Sequence, residues 1–132
     1  MVVVVDDGPE TAVPTLVEAV DVFPTLLECA GIPVPGHLQG RSLWPALQGQ
    51  PLPGRTSALT EHHGWKTLRT ERHRYLIEAD GHERLFDLER DAAGYVDAAG
   101  QPGYAEELAA HRHELLRRLL AMERPLSRVW PY

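Results

Sequence analysis

The sequence predicts an α/β chain, α+β in the part it covers: a strand-and-helix piece, then a small antiparallel sheet packed by a C-terminal helix. Three observations predict it. Val2 to Val5 form a uniformly apolar β-branched run, which suits a central strand of a larger layer. Residues 57 to 89 break into four short segments of strand composition, with an Asp80-Gly81 hairpin signal between the last two. Tyr104 to Met122 places Leu108, Leu115, Leu116, Leu119 and Leu120 at helical spacing, with Glu, His and Arg between them.

Taken in order, Asp6-Asp7-Gly8-Pro9 ends the first strand, and Leu16 to Val20 is short enough and apolar enough for a second. Asp21 suits an N-cap and Pro24 a first helical turn, so a helix is expected over residues 21 to 30. Its apolar positions Val22, Phe23, Leu26, Leu27 and Ala30 share one face, and Gly31, Pro33 and Pro35 stop it. Residues 32–56 read as a Gly/Pro-rich connector with a helical turn at Ser42 to Leu47. The expected strands are Ser57 to Glu61, Thr67 to Arg72, Arg74 to Glu78 and Arg84 to Leu88. The divisions are therefore 1–31, 32–56, 57–124 and a tail, 125–132.

Composition narrows function by exclusion. A net charge of −6 on 132 residues lacks the basic footprint of a general nucleic-acid binder. The apolar start is too short for a membrane span or a signal-peptide core, so no membrane partner is expected and the chain as it stands should remain cytoplasmic. A single cysteine, Cys29, allows no intrachain disulfide.

The polar candidates are few. Glu61-His62-His63-Gly64-Trp65-Lys66 gathers two imidazoles, an indole and the only lysine of the chain. The spacing does not fit a helical H-E-x-x-H, and no distal Cys or His set completes a zinc site, so no metal ligand is assigned there. Arg69, Arg72 and Arg74 suit salt bridges to Glu71, Glu78 and Glu83. His111 and His113 are expected on the surface of the last helix, and Cys29 as a small packed hydrophobe.

Three stretches, in order, resemble the C-terminal third of the sulfatase family, in the alkaline-phosphatase superfamily. They are Val20-Asp-Val-Phe-Pro-Thr-Leu-Leu-Glu-Cys-Ala-Gly-Ile32, Leu38-Gln-Gly-Arg-Ser-Leu-Trp-Pro-Ala-Leu-Gln-Gly49, and Thr60-Glu-His-His continuing through Leu68 to Leu76 and on to Leu85-Phe-Asp-Leu-Glu89. The resemblance implies that residues 1–31 end the large α/β domain and that residues 57–124 are the small C-terminal subdomain. It also implies, for a complete enzyme, a formylglycine nucleophile and calcium. No cofactor is assigned to this chain, and no catalytic residue. Cys29 is followed by Ala30-Gly31-Ile32-Pro33 and lacks the nucleophile motif. Asp6-Asp7 resembles either the family's metal-binding pair or a bland strand end, and both readings stay open.

In the family the loop at His62, His63, Trp65 and Lys66 often reaches the rim of the substrate cleft, where these residues would contact an anion and a ring; the alternative is an ordinary hairpin loop. The expected function is a C-terminal fragment of a sulfuric-ester hydrolase, not active alone. Alternatives are a separately encoded half and a non-catalytic interaction module. Expected partners are the missing catalytic domain or a second copy, through residues 2–31.

Overall fold

A computed structural model describes residues 15–123, which fall into two compact units, the first holding residues 15–55 with Glu123 and the second residues 56–122. The expected strand at Val2 to Val5 and the Asp6-Asp7 pair lie outside the described residues.

In the first unit a 3-10 turn, Ala19–Asp21, leads into helix α1, Val22–Cys29, and a short helix α2 follows at Trp44–Leu47. Leu16 to Val20 is therefore not a strand. The carboxylate of Asp21 explains the difference. It accepts the Glu18 N–H at 2.8 Å, which closes a turn where a strand would need an extended backbone. Asp21 precedes α1 as expected, but its side chain does not cap that helix. It reaches instead to the Arg41 N–H at 2.8 Å and to both terminal nitrogens of Arg55, at 2.6 and 2.8 Å. Arg55 also meets Glu18 at 3.2 Å, and Asp21 is 1% exposed. Burial disfavours the Asp21 anion, but the Arg55 guanidinium and the two backbone N–H groups outweigh it and hold the carboxyl below its ordinary value.

The two N-terminal sequence stretches are thus locked together. Thr25 Oγ1 accepts the Leu43 N–H at 2.8 Å, and Gly40 lies against the backbone of Val20. A Cβ at Gly40 would sit 2.0 Å from the Val20 carbonyl oxygen, so only glycine fits this approach. Cys29, the last residue of α1, is exposed rather than packed, while Pro24 and Thr25 are the helix's buried residues. The opposite side carries Phe23 and Leu26, 56% and 61% exposed.

The second unit is a four-stranded antiparallel meander, β1 (Ala58–His62), β2 (Trp65–Arg69), β3 (His73–Glu78) and β4 (Glu83–Asp87), in chain order. Each strand pairs with its sequence neighbour, in the registers Glu61 opposite Lys66, Leu68 opposite Tyr75 and Tyr75 opposite Leu85. Leu68, Tyr75 and Leu85 therefore fall in one row across the sheet, all fully buried. Helix α3, Ala105–Met122, covers that row with Leu108 and Leu115. Leu119 packs at the margin, while Leu116 and Leu120 are 56% and 60% exposed. The apolar stripe of the sequence is thus wider than the buried face. His111 occupies the inward position one turn from Leu108 and Leu115 and is buried, contrary to expectation, whereas His113 is exposed.

Arg72 and Arg74 find other partners than the sequence suggests. Arg72 pairs with Asp87 and Glu89 at 3.4 and 3.3 Å. Arg74 lies over the Phe86 ring, 4.6 Å from its centroid, and donates to the Gly94 carbonyl. Glu78 and Glu83 are taken by Arg84 and Arg112.

Candidate functional site

Two turn residues, His63 and Gly64, connect β1 to β2, and Gly64 takes a positive φ of 83°. The turn sets His62 directly opposite Trp65, and Glu61 opposite Lys66. Cross-strand neighbours this close interact. The His62 and Trp65 rings stack with centroids 5.3 Å apart and 20° between planes. The Lys66 ammonium pairs with the Glu61 carboxylate. His62 Nδ1 lies 2.9 Å from the His63 carbonyl oxygen, which can only accept, so Nδ1 carries the proton. The Gly64 carbonyl accepts the Ala79 N–H at 2.8 Å, tying the turn to the end of β3.

The structure thus brings His62, His63, Trp65 and Lys66 onto a single hairpin tip. His62 and His63 are exposed, and Trp65 and Lys66 half-buried. The indole and the ammonium, however, already have partners within the hairpin. The tip offers an aromatic face and a balanced charge pair to solvent. That chemistry can bind a ring or an anion, but it holds no nucleophile beside a base.

Two polar groupings escaped the sequence reading. One is the Asp21–Arg55 cluster, whose arginine sits in a Pro-rich stretch with no local partner to mark it. The other surrounds Asp87, which is 4% exposed. It accepts the Tyr104 hydroxyl at 2.9 Å, Arg72, and the backbone N–H groups of Glu89 and Arg90. Burial alone would raise its pKa; Tyr104 and the other donors reverse this and bring it down to about 2. The Asp-Leu-Glu-Arg sequence that starts at the last residue of β4 is the available signal, since an aspartate two residues before free N–H groups commonly forms such a turn.

A sequence model described as N-sulphoglucosamine sulphohydrolase, C-terminal, matches residues 4–122. The chain belongs to the sulfatase family. It corresponds to the C-terminal portion. This sulfatase portion is similar to rat (Rattus norvegicus) arylsulfatase K, 38% identical over 101 residues, covering 60% of this chain and 17% of that protein. It is 32% identical over 102 residues to a Delta 4,5-hexuronate-2-O-sulfatase of Bacteroides thetaiotaomicron, covering 70% of this chain and 21% of that one. Among solved structures, a phosphonate monoester hydrolase from Silicibacter pomeroyi superposes with a TM-score of 0.71 at 26% identity, over 81% of this chain and 26% of its own. The chain spans about a fifth of the length of the curated relatives it matches.

The family's formylglycine and calcium do not fit the residues described here. Cys29 is exposed at the end of α1 and followed by Ala30-Gly31, without the nucleophile motif. Among the described residues no three His, Cys, Asp or Glu side chains converge as a metal site. No helix among them is long and apolar enough to cross a membrane.

Proposed function

We propose that this sulfatase portion completes the fold and the substrate-cleft rim of a sulfuric-ester hydrolase, and does not cleave a sulfate ester by itself. Formylglycine and calcium then belong to the larger catalytic part. The observation that carries this reading is the outer side of the first unit. Val20, Phe23 and Leu26 are 51%, 56% and 61% exposed on consecutive turns, alongside Ile32 at 52%. An apolar grouping of this size marks a surface that a further piece of protein covers. The partner is the catalytic domain, as the rest of a longer chain or as a separately encoded half; a second copy meeting through residues 2–31 is the other occupant. An independent interaction module is less well supported, since it would carry polar residues at these positions.

On this reading the hairpin tip lies at the cleft rim, where Trp65 stacks on a ring and Lys66, with His62 or His63, attracts an anion. The 132-residue chain alone should hydrolyse no aryl sulfate, with or without calcium. Turnover that survives Cys29→Ala would overturn the proposal. Joined to a catalytic portion, Trp65→Ala and Lys66→Ala should each raise KM about fivefold, on the order of 1 kcal/mol, with kcat nearly unchanged. A loss confined to kcat would place the tip in the catalytic centre, and no effect of either substitution would make it an ordinary hairpin.

A further inference from the structure

Two imidazoles are buried between the sheet and α3. His73, at the start of β3, is 6% exposed, and His111, on the inward face of α3, is 7% exposed. Their rings meet edge to face, with centroids 5.3 Å apart and planes at 81°. The Tyr104 ring lies edge-on to His73 at 6.3 Å.

Their hydrogen bonding is unequal. His111 Nδ1 donates to the Glu107 carbonyl at 2.7 Å, and its Nε2 lies 3.3 Å from Thr70 Oγ1. The same hydroxyl receives the His73 N–H at 3.0 Å and lies 3.2 Å from the His73 carbonyl. An N–H at His111 Nε2 has an acceptor in Thr70 Oγ1, whose own proton then turns to the carbonyl. The Nε2 of His73 has no such outlet: it is buried without a hydrogen-bond partner. A proton there would create a buried N–H with no acceptor, on a cation facing a second imidazole, and both are costly.

The charged and titratable groups around His73 do not cancel this. Asp87, on β4, and Glu107, on α3, favour the cation, whereas Arg72, before β3, and His111 oppose it. Tyr104 and Tyr75 face the pair as neutral rings. The Asp87 carboxylate is already occupied by Tyr104, Arg72 and two backbone N–H groups.

We propose that His73, packed against His111, is a proton-operated latch: while the His73 ring is neutral α3 stays docked on the sheet, and protonation of His73 loosens it. Burial first, and His111 second, hold His73 below its ordinary value of 6.5. A base depressed in the folded state takes up its proton earlier once unfolded. Its stabilising contribution is thus complete above pH 6.5 and declines as pH falls from 6.5 towards the lower folded value.

The test is amide hydrogen exchange of α3 in the full chain at pH 7.5 and pH 5.5, corrected for intrinsic rates, alongside an NMR titration of the imidazoles. The opening constant at Leu108 and Leu115 should rise about threefold or more on acidification. His73→Phe should largely abolish the rise, and His113→Gln, on the exposed face of the same helix, should leave it intact. If His73→Phe fails to fold, the unmodified chain still decides. His73 titrating at or above the ordinary histidine value, or α3 opening that does not change with pH, overturns the latch, as does a rise that persists in His73→Phe.

Discussion

Asp21→Ala should destabilise the first unit by about 3–5 kcal/mol, the cost of breaking one side of a buried ion pair. The loss has two sources. Arg55 would keep its charge with both Asp21 oxygens gone and Glu18 as its remaining acidic neighbour. The N–H groups of Glu18 and Arg41 would also lose their acceptor. Hydrogen exchange across residues 15–55 reads the effect directly, and urea unfolding should show a lower midpoint for this region than for the meander. Asp21→Asn keeps one acceptor oxygen and should fall between. Unchanged protection in Asp21→Ala would show that the Asp21–Arg55 pair does not organise the unit.

Leu85→Ala should cost the second unit about 2–5 kcal/mol, the range for truncating a fully buried leucine. Leu85 is 0% exposed and central to the row that α3 covers. The site cannot easily collapse, because its backbone is held on both sides: the N–H by Asp97 at 3.0 Å, the carbonyl by the Ala98 N–H at 2.7 Å. Leu116→Ala, at a position 56% exposed, should stay within about 0.5 kcal/mol. Equal losses in the two variants, measured by urea unfolding, would mean that the buried face of α3 has been misplaced.

The contrast between those leucines shows what the sequence could and could not reveal. Four strands and a helix were legible, because alternation, an Asp-Gly turn and a helical repeat are local signals. Which leucines the helix buries was not, since helical spacing admits a stripe broader than the sheet can cover. For the same reason the sequence suggests a surface position for His111, which is buried. A helix position is inward or outward only relative to its partner layer, and histidine is common on both sides. The sequence suggests nearby glutamates for Arg72 and Arg74, but side-chain pairing follows strand register and loop return. Asp87 and Gly94 are brought within reach only after β4 and its loop fold back.

The hairpin carrying His62, His63, Trp65 and Lys66 was legible as a cluster, because all four lie within five residues of one another. Its internal partners were not. Glu61 meets Lys66, and His62 meets Trp65, only when His63 and Gly64 are the two turn residues, and a turn placed one residue away would have separated both pairs. The two N-terminal stretches that resemble the family turn out to hold one another in place: Gly40, Arg41 and Leu43 contact Val20, Asp21 and Thr25. Much of what makes those stretches recognisable is therefore packing.

The meander also sets an order of events in time. Each strand pairs with its immediate successor across a short turn, so little chain entropy is lost before the first ladders form. Such local pairing belongs with rapid nucleation, whereas α3 must return across the loop of residues 88–101 before it can cover the sheet. The hairpins should then be largely formed at the folding barrier and α3 docked beyond it. Substitutions on the buried face of α3 would shift the unfolding limb of a chevron, and substitutions in the β2–β3 ladder the folding limb. For this fold the lifetime of the native state, more than the speed of reaching it, would rest on a single helix.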